Sequence, residues 1–191
     1  MLSAMSVALK VITEVPTIDV VIPAYNDERD LAGNMRRLHA YLADELPFTA
    51  RITIADTASS DGTWPLALRL ANELSNVRAL HLNQKGRARA VAAAWLTSSA
   101  RIVAYMDVDR STDLSVLQQL LAPIVSGRGD VSIGNRFRDA HCGFKAMRAD
   151  IARRLLPQVK NRTWFFDKEL LVVAQRAGLR IRELPADRFS A

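Results

Sequence analysis

Short apolar runs alternate with helical patterns along most of this chain, and this alternation restricts the fold more than any other feature of the sequence. The runs "IDVVIP", "RITIAD", "VRALHL", "RIVAYMD" and "DVSIG" have the length and branched composition of buried strands. A helical pattern follows each of the first four runs. After the first, Leu31, Met35, Leu38 and Leu42 recur at helical spacing. Repeated strand–helix units predict an α/β three-layer sandwich with a mostly parallel central sheet.

The alternation becomes less regular after Gly134. "ADIARRLL" and "DKELLVVAQRAG" have helical patterns, and "RIRELP" is predicted to be a late strand. The chain contains no repeat, low-complexity tract or linker that would divide it. We therefore expect an N-terminal extension over residues 1–17 and a single domain over residues 18–191.

Membrane and compartment signals are weak. The opening segment lacks a basic start and is interrupted by Lys10 and Glu14, so it predicts neither a signal peptide nor a membrane span. No later stretch reaches about 18 uninterrupted apolar residues, so any membrane contact is expected to be peripheral. Cys142 is the only cysteine, which excludes an internal disulfide and suits a reducing, cytoplasmic compartment.

The charge balance is basic, with 26 Lys and Arg residues against 20 Asp and Glu residues and a formal charge of +6. A basic excess favours partners that carry phosphate. Nucleic acid, nucleotide, lipid phosphate and an anionic membrane surface all fit this composition.

Polar residues follow the ends of the five predicted strands. Ligands of open parallel sheets bind at the carboxyl ends of the strands, so these loops are the candidate site. Their polar residues are Asn26, Asp27, Asp56, Ser59, Ser60, Asp61, Asn83, Gln84, Lys85, Arg87, Asp107, Asp109 and Arg136. Together they supply carboxylates, a lysine and arginines, which suit a phosphate ligand bridged by a metal ion.

Asp107 and Asp109 stand two residues apart in "YMDVDRSTD", where the fourth strand ends. Side chains two apart on a strand point the same way, about 6 Å from each other. At an effective dielectric near 20, two such charges repel by about 3 kcal/mol. A shared proton, a cation such as Arg110, or a divalent Mg²⁺ or Mn²⁺ ion would offset this repulsion.

The basic segment "NQKGRAR" follows the third strand. Lys85 is placed to meet a phosphate, and Gly86 permits close approach of the backbone. Taken alone, Lys85, Arg87 and Arg89 favour a solvated basic helix start over a binding role.

Seven segments, taken in order, resemble the family 2 inverting glycosyltransferases. They are "DVVIPAYND", "IADTASSDGT", "NQKGRARAVAAAW", "AYMDVDRSTD", "IGNR", "DAHCGFKAMR" and "WFFDKELLVVAQRAGLRIRELP". The likeness is to the polyprenyl-phosphate hexosyltransferases, namely the dolichyl-phosphate mannose and glucose synthases, and it runs from Ile18 to Pro185.

The resemblance implies a Rossmann-like glycosyltransferase A fold and an inverting, metal-assisted transfer. Glucose or mannose would move from a nucleotide diphosphate sugar, UDP-glucose or GDP-mannose, to a polyprenyl phosphate lipid. The implied location is the cytosolic face of a membrane, with peripheral contact and with no nucleic acid as partner.

The resemblance also implies roles for individual residues. Pro23, Tyr25 and Asn26 would flank the base and ribose, Asp56 would contact the base, and Lys85 would lie near the nucleotide. Asp107 and Asp109 would hold the metal and diphosphate. Catalytic roles are expected for Asp109, Arg136, Asp139 and Asp167, of which Arg136 would face phosphate.

The acceptor decides whether a protein base is needed. A lipid phosphate monoester is largely dianionic at neutral pH and attacks the sugar carbon unaided, whereas a hydroxyl acceptor needs a base. Asp139 and Asp167 are the candidates for such a base.

The chain departs from the family pattern at three places. Thr57 and Ala58 replace the second acidic residue and the glycine of the usual "DDGS" turn, and Arg110 follows the Asp pair. Only Phe137 and Arg138 separate Arg136 from Asp139, where relatives carry about thirty residues on the acceptor side. Either that segment has been lost, or it is missing from this sequence; the intact flanking motifs favour the second explanation.

Two other functions fit parts of the sequence. A nucleotidyltransferase would share the fold, but such enzymes carry an early glycine-rich loop and "IPAYNDERD" contains no glycine. A degenerate protein that binds nucleotide sugar without turnover would be consistent with Thr57, Arg110 and the short segment after Arg136.

Overall fold

The computed structural model describes residues 5–8, 15–107, 112–134, 144–161 and 165–184, the first of these ranges by its backbone alone. Within these ranges the chain forms eight strands and six α-helices. The strands are β1 Met5–Ala8, β2 Ile18–Ala24, β3 Ala50–Thr57, β4 Val77–Leu82, β5 Ile102–Met106, β6 Val131–Gly134, β7 Phe144–Arg148 and β8 Ile181–Leu184. The helices are α1 Leu31–Glu45, α2 Thr63–Glu73, α3 Arg87–Leu96, α4 Ser115–Val125, α5 Ala149–Leu155 and α6 Phe166–Arg176.

The described strands form one sheet in the order β1-β4-β3-β2-β5-β7-β6-β8. Strands β2, β3, β4 and β5 pair in parallel, and β6 pairs in parallel with β8. Strand β7 is antiparallel to both β5 and β6, and β1 is antiparallel to β4. Six strands therefore run in one direction and two in the other, so the prediction of a mostly parallel sheet is confirmed.

Helices cover both faces of the sheet. Side chains of α1, α2 and α4 form one buried cluster, which includes Val20 and Ile22 of β2. Side chains of α3, α5 and α6 form a second cluster, which includes Val21 of the same strand. Because successive strand residues point to opposite faces, β2 contributes to both clusters and its run is apolar throughout.

Two strands were not predicted. Residues 5–8, expected to be part of an N-terminal extension, form β1 at the edge of the sheet. Residues 144–148, interpreted from the sequence only as part of a family motif, form β7 between β5 and β6.

The starts of α1 and α2 leave several polar residues for contacts between loops. Helix α1 begins at Leu31 after Asp30, and not directly after Asn26 and Asp27. Thr63 is the first residue of α2, and its amide donates to Asp61 Oδ1 at 3.0 Å. Asn26, Asp27 and Thr63 are instead used in contacts between loops, described below.

A buried ionic network joins three strands near their amino ends. Asp19 of β2 accepts from Arg51 Nη2 at 2.5 Å and from Ser98 Oγ at 2.7 Å, and it lies 3.3 Å from Arg78 Nη2. Thr53 donates to Asp19 Oδ1 at 2.6 Å. Burial lowers the pKa of the Arg78 guanidinium, and the Asp19 carboxylate opposes that effect. The network lies at the end of the sheet opposite the candidate site.

Among the helices in the described part of the chain, none has both the length and the apolar character that crossing a bilayer requires.

Candidate active site

The strand register brings three of the predicted loops side by side. Asp56 of β3 is the register partner of Ala24 of β2 and of His81 of β4. Strand β5 pairs with β2 through Val21 and Tyr105, so Asp107 leaves the sheet close to the level of Pro23. With strands about 4.8 Å apart, Asp56 and Asp107 lie on either side of β2, about 10 Å from each other.

The loops after β2 and β3 are bound to each other. Asn26 has a positive φ of 51°; its amide donates to Ser59 Oγ at 2.9 Å, and its Oδ1 accepts from the Ser60 amide at 2.9 Å. The Asp27 amide donates to Thr63 Oγ1 at 2.7 Å. Asn26 therefore fixes the shape of the site edge through its own backbone and side chain.

Ala58 has a φ of 55°, a left-handed conformation that is normally taken by glycine. The resemblance placed a glycine at this position. The turn therefore keeps the conformation that the glycine would permit, and the substitution leaves the backbone path of the loop intact.

Asp56 is fully buried, and its two carboxylate oxygens differ in their contacts. Oδ2 lies 2.6 Å from His81 Nδ1, which carries the hydrogen because the carboxylate can only accept. Oδ1 is buried and has no hydrogen-bond partner within the described ranges. The ring of His81 packs at a tilt against Trp64, with 5.0 Å between ring centroids. Asp56 therefore offers one free acceptor atom to a ligand.

Lys85 follows β4, and its Nζ lies 3.8 Å from the centroid of the Tyr25 ring. Both residues are exposed. Gly86 has a φ of 143°, which residues with a side chain rarely adopt, and α3 begins at the next residue. The site edge thus presents a lysine charge above an aromatic ring, beside the positive end of a helix.

Five side chains form a group that we call the Arg87 cluster: Arg87, Tyr105, Asp107, Lys145 and Asp167. Arg87 donates from Nη1 to Asp107 Oδ2 at 2.8 Å and from Nη2 to Asp167 Oδ2 at 3.1 Å. Tyr105 donates to Asp167 Oδ1 at 2.5 Å, and Lys145 Nζ lies 3.2 Å from both the Tyr105 hydroxyl and Asp167 Oδ1. The cluster joins β5, β7, α3 and α6.

The members of the Arg87 cluster differ in exposure. The side chains of Lys145 and Asp167 are 2% and 4% exposed, whereas that of Asp107 is 51% exposed. Burial, and then the Asp167 charge, raise the pKa of the Tyr105 phenol well above its usual value, so the hydroxyl stays protonated. Partial burial also raises the pKa of Asp107, and the Arg87 guanidinium opposes that shift. Asp107 and Arg87, whose side chain is 39% exposed, are therefore the members that a ligand can reach.

Several predicted residues lie outside the described part of the chain. They are Asp109, Arg110, Arg136, Asp139 and Cys142, together with the short segment between Arg136 and Asp139. The structure brings together Pro23, Tyr25, Asn26, Asp56, Lys85 and Asp107 at the carboxyl edge, with Asp167 beneath Asp107.

Sequence reasoning missed His81, Tyr105 and Lys145, and it placed Arg87 among the candidate loop residues without assigning it a partner or a role. Lys145 carried the clearest signal, because a lysine between the apolar residues of "GFKAM" needs an acid partner if the segment is buried. Arg87 gave no such signal, since basic residues at helix starts are usually solvated.

The described residues do not form a complete metal site. They contain no group of three or more His, Cys, Asp or Glu side chains that could hold a metal ion. Asp107 nevertheless offers an accessible carboxylate, the hard oxygen ligand that Mg²⁺ and Mn²⁺ prefer. The chemistry of this donor fits a divalent ion held between the protein and a diphosphate.

Similarity to solved structures confirms the fold class. The mannosyltransferase PcManGT from Pyrobaculum calidifontis, solved with GDP-Man and Mn²⁺, superposes with a TM-score of 0.67 at 19% identity. The match covers 91% of this chain and 56% of that one. The architecture is therefore that of a glycosyltransferase A fold.

Sequence similarity then gives the family. The model of glycosyl transferase family 2 matches residues 19–182, and this chain belongs to that family. Glycosyltransferase AglD of Haloferax volcanii is 30% identical over 203 residues, covering 89% of this chain and 32% of AglD. A dolichyl-phosphate beta-glucosyltransferase of Trichomonas vaginalis is 26% identical over 209 residues, covering 87% of this chain and 62% of the relative. The predicted likeness to dolichyl-phosphate glucose synthases is confirmed, and the chain spans less than two thirds of each of these relatives.

Proposed function

We propose that this chain is the catalytic domain, residues 18–191, of an inverting hexosyltransferase that moves a sugar from a nucleotide diphosphate to a polyprenyl phosphate. One observation carries the proposal: Asp56, Lys85 and Asp107 stand together at the carboxyl edge of a family 2 fold. Similarity to dolichyl-phosphate beta-glucosyltransferases supports the acceptor class and favours glucose as the sugar.

Each end of the nucleotide sugar would have its own residues. Pro23, Tyr25 and Asn26 would flank the base and ribose. Lys85 would meet the phosphates, and Asp107 and Asp109 would hold the divalent metal, Mg²⁺ or Mn²⁺. When bound, that metal would neutralise the diphosphate leaving group. Arg136 and Asp139 are assigned to the acceptor side by resemblance.

The hydrogen bonding of the Asp56 carboxylate supports uridine as the nucleoside of the donor. Uracil presents one imide N–H, whereas guanine presents an N–H and a neighbouring amino group that a carboxylate would accept with both oxygens. His81 occupies Oδ2 of Asp56, so Oδ1 alone remains, and that atom matches the single donor of uracil. Because Oδ1 is buried, the side chains covering it must shift to admit the base. In return, the buried oxygen gains a hydrogen-bond partner. Left unpaired, such an oxygen destabilises the protein by about 1–3 kcal/mol.

The surroundings of Asp167 support a phosphate acceptor. Its carboxylate contacts the Tyr105 hydroxyl, Lys145 and Arg87, and its side chain is 4% exposed. A general base must reach the proton that it removes, whereas this carboxylate is buried and already paired with these three groups. Asp167 therefore acts as an anchor for the site, and a dianionic phosphate monoester needs no base from it.

The acceptor would bring the protein to a membrane surface, on the cytosolic side. Phe165, at the start of α6, is 56% exposed, and Lys168 Nζ lies 5.9 Å from its ring centroid. An exposed aromatic ring beside a lysine suits the boundary between lipid headgroups and water. With the net charge of +6, this supports peripheral contact with an anionic surface.

A transfer assay tests the proposal. The purified protein is incubated with radiolabelled UDP-glucose or GDP-mannose and dolichyl phosphate, with Mn²⁺, Mg²⁺ or a chelator, and the labelled lipid is extracted. We expect metal-dependent transfer from UDP-glucose and little from GDP-mannose. Labelled lipid from GDP-mannose alone would refute the uridine assignment. Nucleotide binding without labelled lipid under any condition would support a degenerate sugar-nucleotide binder instead.

A further inference from the structure

Arg87 donates a hydrogen bond to Oδ2 of Asp107, the residue whose carboxylate would bind a metal. The Arg87 guanidinium bridges Asp107 and Asp167, and its side chain is 39% exposed. Since Asp167 is anchored by Tyr105 and Lys145, one end of the bridge is fixed and the other ends on an accessible acid.

The charges of the Arg87 cluster balance without a metal ion. Arg87 and Lys145 carry two positive charges, Asp107 and Asp167 carry two negative charges, and the Tyr105 phenol is neutral. A divalent cation that takes Asp107 Oδ2 as a ligand would therefore compete with the Arg87 guanidinium. It would leave that guanidinium with an unpaired Nη1 group.

A diphosphate would supply the partner that Arg87 then lacks. Arg87 is the first residue of α3 and lies two residues after Lys85, so it stands on the same loop as the proposed phosphate-binding lysine. Its planar guanidinium has five N–H donors, which allows it to keep Asp167 while it turns another donor to a phosphate oxygen.

We propose that Arg87 is a positioning residue that holds Asp107 in the donor-free protein and exchanges it for the diphosphate when metal and nucleotide bind together. Metal then binds weakly when no nucleotide is present, and metal and nucleotide bind with positive cooperativity. The side chain of Arg87 is responsible for this cooperativity. This inference rests on the proposed function, because it assumes a diphosphate donor at this edge.

The test measures Mn²⁺ binding, not turnover. Free Mn²⁺ is followed by electron paramagnetic resonance in titrations of the whole protein, with and without UDP, and UDP binding at saturating Mn²⁺ is followed by calorimetry. Arg87→Gln is compared with wild type and with Arg89→Gln, which removes the same charge from an exposed position on the same helix turn.

Removal of Arg87 is expected to change the two affinities in opposite directions. Arg87→Gln should bind Mn²⁺ alone about 5- to 10-fold more tightly, because the competitor is gone. It should bind UDP at saturating Mn²⁺ about 10-fold more weakly, because a phosphate partner is gone. Arg89→Gln should resemble wild type in both. A role confined to the fold would weaken both affinities together.

Four results would overturn the inference. One is an unchanged Mn²⁺ affinity in Arg87→Gln, and another is a change equal to that of Arg89→Gln. In either case, binding by the wild type would leave the proposed function intact. Failure of the wild type to bind either Mn²⁺ or UDP would overturn both. If Arg87→Gln does not fold, Arg87→Lys keeps the charge but cannot bridge two acids, and the same opposite shifts, smaller in size, are expected. Their absence in a folded Arg87→Lys protein would count equally against the inference.

Discussion

At the scale of single residues, the neighbours of Asp56 decide what it can recognise. His81 fixes one carboxylate oxygen and leaves the other without a hydrogen-bond partner among the residues that the structure describes. A buried acceptor left in that state destabilises the fold, so its presence at a sheet edge is typical of a binding site. The selectivity proposed for uridine therefore depends on His81 as much as on Asp56.

Replacing His81 with phenylalanine tests this arrangement. His81→Phe keeps a ring beside Trp64 but leaves both oxygens of Asp56 unpaired, so we expect the free energy of unfolding to fall by about 1–3 kcal/mol. The preference for UDP over GDP should narrow, because two oxygens are then free for guanine. Denaturant unfolding and competitive calorimetry with Mn²⁺ measure the two effects.

The control for that change is His39→Phe. His39 Nε2 lies 3.0 Å from the Ser75 carbonyl oxygen, away from the proposed site. This variant should keep the wild-type ratio of UDP to GDP affinity. An unchanged ratio in His81→Phe as well would mean that His81 has no part in base selection.

At the scale of secondary-structure elements, a buried acid connects the three strands that carry the nucleotide loops. Asp19 of β2 contacts Arg51 of β3 and Arg78 of β4, and all three side chains are buried. Breaking a buried ion pair leaves the remaining charged groups buried without a partner and away from water. This network fixes the amino ends of β2, β3 and β4, whereas the site uses their carboxyl ends.

Asp19→Asn should therefore be strongly destabilising. We expect a loss of about 3–5 kcal/mol in the free energy of unfolding, because two buried guanidinium groups lose their acid. Glu73→Gln is the matched control, since it breaks the exposed pair with Arg36 and should change the free energy of unfolding little. Urea titrations of both variants give the comparison, and equal small losses would contradict a stabilising role for the network.

Strand β8 is attached to the sheet by an ion pair that responds to pH. Asp130 accepts from the amide and the guanidinium of Arg180, and hydrogen bonding to the Arg180 side chain holds the pKa of Asp130 at about 2. The folded-state pKa lies below the unfolded value, so the stabilisation is present above about pH 5 and is lost as pH falls towards 2.

This pH dependence should disappear in Asp130→Asn. At pH 7 we expect the variant to be less stable than wild type by about 1 kcal/mol, since the side chain of Arg180 is half exposed and the pair is screened. The difference should close between about pH 5 and pH 2. Unfolding midpoints measured across that range would contradict the assignment if the gap between the two proteins stayed constant.

At the scale of the whole molecule, the site is assembled from elements far apart in the chain. In the proposed assignment, the base end uses β3 and β4, and the phosphate end uses the loop before α3. The metal end uses β5 together with β7 and α6 through the Arg87 cluster. A ligand that contacts all of these elements must stabilise the folded chain against unfolding.

Thermal unfolding with UDP and Mn²⁺ measures this linkage. At 100 times the dissociation constant, bound ligand should stabilise wild type by about 2.7 kcal/mol and raise the unfolding temperature accordingly. A chelator should remove most of the shift. Asp107→Asn should show a smaller shift, because the carboxylate that we assign to the metal is gone. An equal shift in Asp107→Asn would refute that assignment.

Most elements of the fold were predictable because their patterns are local. Strands β2 to β6 and β8 have apolar runs, and all six helices have apolar residues at helical spacing. Strand β7 was missed because it contains Lys145, a residue type that usually marks an exposed segment. Strand β1 was missed because four residues at the edge of a sheet are specified mainly by pairing with β4.

The sequence by itself determined the order of strands and helices, the glycosyltransferase family and the loops that carry Asp56, Lys85 and Asp107. These features depend on short-range periodicity and on motifs in fixed order, and both are visible in the linear sequence. Tertiary structure alone decided which charges meet. The repulsion predicted at the end of β5 is offset for Asp107 by Arg87, twenty residues earlier in the chain and held by Asp167 of α6. Such pairing follows from sheet order and helix packing. These bring together side chains that are far apart in the sequence, and their sequence separation does not indicate that they are in contact.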